Sequence, residues 1–334
     1  MYKQEITRKH RTAFVIAIDQ SQSMAEMILF NGCVISKALA VTYISNQIIH
    51  ELTLRARRDD GVRDYFDVAV LGYSNEEVYP LIDDKRMFIP VSELPNYKPE
   101  INRVSLEYHL PNGEKSLRIN EHPSWIKVKA EGDTPMYETM LQIRDIVSEW
   151  CNKPQNYDSF PPIIFNITDG ECSDCSAQEL LSITKQIRDL GTSDGKALLI
   201  NVHIASRDGE KAIIFPSASE IDKDNRTMQL LAECSSIMPE PFNELIRAQR
   251  GNQAEPPFIA MSYNASIAEV IAILNIGSRS VTNLVPLLFP ASRSERQPRP
   301  RVVPDLQARA PLPGKGSVVL RRRKEKPAKA ERMR

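Results

Sequence analysis

Apolar runs and helical periodicities alternate along most of this chain. Residues 13–18, Ala-Phe-Val-Ile-Ala-Ile, are continuously apolar and rich in β-branched side chains. A run of that length predicts a strand buried on both faces, at the centre of a parallel sheet. Residues 34–56 follow with helical periodicity, and 66–72 read as a second strand with an antiparallel neighbour at an edge. A helix is predicted over 135–150, with Pro135 near its start, where a proline's missing N–H costs little. Strands are predicted over 163–167 and 197–204, and a last one over 257–262. Between them an amphipathic helix spans 177–190, closed by Gly191, and a short helix spans 228–234. Ser266 is read as the cap of a final helix to about Ile276.

The stretch 73–130 is less regular. The turn signal Pro111-Asn112-Gly113 lies between 104–110 and 115–119, which predicts a β-hairpin. Residues 125–129 alternate like one more short strand. This stretch reads as a β-rich insertion. Strands alternating with helices predict a three-layer α/β fold, a doubly wound and mostly parallel sheet. The domain expected is 10–280.

From about residue 290 the pattern changes to Arg, Pro and Lys with few large apolar groups. Residues 291–334 hold fourteen Lys/Arg against four Asp/Glu, leaving twenty-nine against thirty-nine in residues 1–290. The zero net charge therefore hides an acidic body and a basic tail. A tail of that composition buries too little surface to offset its ordering entropy, so it is expected to be disordered. No apolar run approaches the roughly 20 residues that span a bilayer, and no secretory signal is visible. The five cysteines are scattered and odd in number, unlike a disulfide framework. Cytoplasmic placement is the expectation.

Ligands of doubly wound sheets bind beyond the carboxyl ends of the strands, and three loops there carry oxygen ligands. The first strand runs into Asp19-Gln20-Ser21-Gln22-Ser23. The strand at 163–167 runs into Thr168-Asp169-Gly170, and Gly132-Asp133-Thr134-Pro135 precedes the helix at 135. Carboxylates and hydroxyls are the ligands of a hard cation. Few carboxylates and several neutral hydroxyls leave such an ion electrophilic and drawn to a further anion.

On Asp19-x-Ser21-x-Ser23, on Thr134 in Gly-Asp-Thr-Pro-Met and on Asp169 in Thr-Asp-Gly, the chain resembles the von Willebrand factor A family. These residues match the five of that family's metal-ion-dependent adhesion site. The resemblance covers roughly 10–280 and fits 73–130 least well. It implies a Mg2+ or Mn2+ ion contacted by Ser21, Ser23 and Thr134, and held directly or through water by Asp19 and Asp169. A partner protein's Asp or Glu would fill the last position. It implies a binding or scaffold module rather than an enzyme. Intracellular bacterial members suggest partners such as a protein kinase, a metal-dependent phosphatase or an AAA+ ATPase.

Other features stand beside these motifs. Asp133 and Glu171 flank the expected ion as accessory carboxylates, or are solvated loop residues. Cys172 and Cys175 form one CxxC, read as two free surface thiols, a redox pair or half a zinc site shared with a partner. A hydrolase with a metal-bound water would need a base or acid that the three motif loops, lacking His and Lys, do not contain. Nucleic-acid or anionic-surface binding by Arg321-Arg322-Arg323-Lys324 meets a tail with no aromatic residue for stacking.

Overall fold

The computed structural model describes residues 1–30, 33–109, 115–170, 172–204, 212–251 and 254–264. Eight strands form one sheet: β1 (Thr12–Asp19), β2 (Phe66–Ser74), β3 (Glu77–Pro80), β4 (Ile89–Pro90), β5 (Ile163–Thr168), β6 (Leu198–His203), β7 (Ile213–Ile214) and β8 (Met261–Tyr263). Their order is β7-β8-β6-β5-β1-β2-β3, with β4 also on β2. Pairs β1–β2, β1–β5, β5–β6 and β6–β8 are parallel, while β3, β4 and β7 pair antiparallel at the edges. The predicted doubly wound, mostly parallel α/β sheet is present.

Every residue of β1 is buried, and alternation along it assigns the two faces. Phe14, Ile16 and Ile18 pack into the cluster that includes Val41, Ile44, Ile48 and Leu52 of helix α1 (Lys37–Ala56). Val15 and Ala17 face Met140, Ile143 and Val147 of α2 (Met136–Cys151) and Ile183 and Ile187 of α3 (Ala177–Asp189). Helices thus cover both faces. Each fully buried Ile, Val or Phe contributes about 1.5–3 kcal/mol of burial, which is why an uninterrupted apolar run sits at the centre. Two shorter helices follow, α4 (Arg226–Cys234) and α5 (Asn243–Arg250).

Several boundaries differ from the sequence reading. The periodicity over 34–56 includes two elements: Cys33–Ser36 pairs with Met27–Phe30 as an antiparallel hairpin, and α1 begins at Lys37. Ser36 caps it, its hydroxyl accepting from the Leu39 N–H at 3.2 Å. Helix α5 lies in a stretch with no predicted element. Gly191 does not close α3 with a left-handed turn. It opens a tight hairpin, Gly191–Thr192 against Gly195–Lys196, where a Cβ would lie 2.2 Å from the Gly195 carbonyl oxygen.

Within 73–130, Tyr73, Ser74, β3 and β4 belong to the main sheet, and the predicted hairpin is longer than expected, Glu100–His109 against Lys115–Ser124. Residues 125–129 are not a strand. The backbone of Trp125 and Ile126 is held by one buried side chain instead. Asn46 of α1 accepts from the N–H groups of Trp125 (2.7 Å) and Ile126 (3.2 Å), and donates to the Ile126 carbonyl and the Ser124 hydroxyl. The expected helix at 266–276 and the tail from 290 lie outside the described residues. Among the described residues no helix is long and apolar enough to cross a membrane.

Candidate metal centre

Taken in chain order, the five parallel strands lie in the order second, first, third, fourth, fifth. In such a sheet the crevice opens where the winding reverses, between the first and third parallel strands. Those are β1 and β5 here, and Asp19 and Asp169 stand at their carboxyl ends.

Asp19 is the last residue of β1 and is 1% exposed. One of its oxygens accepts from the Ser21 N–H at 2.9 Å, the other from the Thr168 hydroxyl at 2.8 Å. That hydroxyl in turn accepts from the Gly170 N–H, which ties the two strand ends together. Burial, aided by the nearby Asp169 charge, pushes the Asp19 carboxyl up to about 6, against the lowering effect of its hydrogen bonds. The Ser21 and Ser23 hydroxyls are 3.0 Å apart; Ser21 is buried and Ser23 exposed.

The third loop is drawn in by backbone bonds. The Gln22 N–H donates to the Gly132 carbonyl (2.8 Å) and the Glu131 N–H to the Gln20 carbonyl (2.9 Å). Gly132 has φ of +71°, and a Cβ there would lie 1.6 Å from Asn75 Oδ1, so only glycine fits this approach. Thr134 follows, buried, and Ser173 braces it on both sides. The Thr134 N–H donates to the Ser173 hydroxyl (2.9 Å), and the Ser173 N–H donates to the Thr134 carbonyl (3.1 Å). Asp133 is exposed on the rim. It lines a groove of about 780 Å³ with Glu138, Arg144, Asp145 and Asp174, where Arg144 pairs with Asp145 at 2.7 Å. Glu171 lies outside the described residues. Cys172 and Cys175 are half-buried on the same loop as Ser173.

Asp169 reveals a residue the sequence reading missed. One of its oxygens is 3.2 Å from Lys37 Nζ; the other is buried and has no hydrogen-bond partner among the described residues. Lys37 is 2% exposed and also contacts Glu26 at 2.6 Å. No motif marks Lys37, and in the sequence it looks like an ordinary solvated helix residue. One electrostatic sign was available: a lysine at the positive end of a helix is disfavoured, and the first turn of α1 has no acidic residue. A second neighbour, His203, ends β6 and stacks on Tyr263 at 4.1 Å. Its ring lies against Gly170, where a Cβ would come within 3.1 Å. Burial drives the His203 imidazolium down to about 4, so the ring is neutral near pH 7.

The donor set fits a hard cation. It offers the Asp19 and Asp169 carboxylates and the Ser21–Ser23 hydroxyl pair, and one Asp169 oxygen, buried with no hydrogen-bond partner among the described residues, is one that an ion would satisfy. Lys37 already supplies one positive charge to the same carboxylate.

A doubly wound α/β protein with an oxygen-rich switch point is thus the class that fold and site define. No protein-family model matches the chain, and no curated protein matches it. Three solved structures with slight likeness are a von Willebrand factor type A protein from Catenulispora acidiphila, the vWF domain of the type V pili tip protein Mfa5 from Porphyromonas gingivalis, and an aerotolerance-related membrane protein from Bacteroides fragilis. The first is 14% identical at a TM-score of 0.30, over 59% of this chain and 34% of that one. The second is 13% identical at 0.28, over 49% and 39%. The third is 13% identical at 0.34, over 80% and 98%. This chain spans about a third of the length of the first of these structures. Strand order and register define the fold.

Proposed function

We propose that this chain is a protein-interaction module whose contact point is the switch-point site. In this reading Asp19, Ser21, Ser23, Thr134 and Asp169 hold Mg2+ or Mn2+, and a partner's Asp or Glu completes the ion's coordination. The observation that carries it is the buried Asp169 oxygen, which has no hydrogen-bond partner among the described residues, at the strand ends where doubly wound sheets bind ligands. The ion would supply an electrophilic point for an anionic oxygen. The chain's own groups prepare the place. The Ser21 N–H and the Thr168 hydroxyl orient Asp19, Ser173 fixes the Thr134 backbone, and Lys37 offsets part of the carboxylate charge.

Binding is favoured over catalysis because the nearby proton carriers are engaged. Lys37 is held between Glu26 and Asp169, and His203 is stacked and buried. The acidic groove beside Thr134 favours a partner whose carboxylate is flanked by basic residues, since like charges across an interface are penalised. A kinase, a metal-dependent phosphatase or an AAA+ ATPase remain the settings that the family resemblance implies.

The test is affinity capture from the native host's lysate with wild type and Thr134→Ala, each with Mg2+ and with a chelator. A protein retained only by wild type with Mg2+ supports the reading. The same proteins retained under all four conditions overturn it. Turnover of a phosphoester that disappears with Asp169→Ala would establish a hydrolase instead.

A further inference from the structure

A second cluster lies on the loop between β5 and α3, with different chemistry. Cys172 Sγ is 2.9 Å from Cys175 Sγ and 3.1 Å from Asp174 Oδ1. One ligand atom from each of the three residues lies within 4.8 Å of the others. We propose that Cys172, Cys175 and Asp174 form a site for a soft or borderline divalent cation of the zinc class, with the fourth position open to water or a partner residue.

Thiolate sulfur selects zinc-class ions over Mg2+, so this site is chemically separate from the oxygens at the strand ends. Tetrahedral ligation with Zn–S bonds of ~2.3 Å sets sulfurs about 3.8 Å apart. The two half-buried thiols reach that by opening less than about 1 Å through side-chain rotation. Asp174 is already oriented: its two oxygens accept from the N–H groups of Tyr137 and Glu138, both at 3.0 Å, at the start of α2. Such outer partners fix a ligand in place. Burial pushes both thiols up, Cys172 further through its bonds to Cys175 and Asp174. The dithiol therefore stays protonated until a cation displaces the protons. Binding is balanced as one divalent ion taken up and two thiol protons released to buffer.

The third converging ligand is what favours a cation over a disulfide, which would use the sulfurs alone. Ser173, the brace of Thr134, sits between the two cysteines. An ion here would stiffen both that brace and the first turn of α2.

The test uses the full, reduced, metal-free chain. Zinc is titrated in competition with a chromophoric chelator, and cobalt is added to read thiolate-to-metal charge transfer. We expect one sulfur-ligated equivalent, kept in Asp169→Asn. Asp174→Asn should weaken binding. Cys172→Ser with Cys175→Ser should weaken it by more than the ~100-fold typical of losing an outer-shell partner and should abolish the charge-transfer band. Zinc should raise the thermal midpoint of wild type but not of the double serine variant. The proposal is overturned if cobalt gives no thiolate band with the reduced wild type, or if zinc affinity survives in the double serine variant. It is equally overturned if the dithiol closes to a disulfide in air and the reduced form takes up no zinc.

Discussion

Lys37→Met removes one ammonium and little else, since methionine fills a similar volume. At an effective dielectric of about 20, unit charges 3.2 Å apart attract by about 5 kcal/mol. Taking the ammonium out of water offsets part of that, but truncating one partner of a buried pair typically costs about 3–5 kcal/mol, because the other charge is left uncompensated. Glu26 is half exposed and can turn to water; Asp169, with its side chain 6% exposed, cannot. In chelator, Lys37→Met should therefore lower the unfolding free energy by about 3–5 kcal/mol in urea titrations. Asp169→Asn on top of it should recover most of that loss, because the stranded charge is gone. Mg2+ should stabilise Lys37→Met more than wild type, since the cation then meets a carboxylate with no competing charge. A wild-type midpoint for Lys37→Met in chelator, or no recovery in the double variant, would refute the claim that this pair is a coupled buried unit.

Two further outcomes follow from the geometry. Asn46→Ala strands the N–H groups of Trp125 and Ile126, while the Ile126 carbonyl keeps the Ser124 hydroxyl at 3.1 Å; at ~1–3 kcal/mol per unsatisfied buried group, a loss of about 2 kcal/mol or more is expected, read by urea unfolding. His203 should make the fold acid-sensitive. Its folded pKa, about 4, lies below the ordinary 6.5, so its contribution is whole above pH 6.5 and is lost as pH falls towards 4, about 3 kcal/mol in all. Asp19 acts with the opposite sign. Its folded pKa is raised to about 6, so acidification through 6 towards 3.8 returns stability. Comparing wild type with His203→Phe, which keeps a ring against Tyr263, isolates the histidine: the variant should lose less stability between pH 6.5 and 4, and parallel profiles would sink the assignment.

The central strands were legible in the sequence because a central parallel strand must be largely apolar on both faces, as at 13–18, 163–167 and 197–204. The candidate oxygens were legible because each sits at a short, fixed spacing after such a strand or before a helix. Tertiary structure alone decided which groups act on them. Lys37 meets Asp169 across 132 positions, and Asn46 meets Ser124 across 78. Local periodicity carries no trace of either contact, so nothing singled out Lys37 within the helical stretch 34–56 and 125–129 read as a strand. Both contacts are charge or hydrogen-bond demands of buried groups, and those demands arise only when the sheet and its helices close around the site.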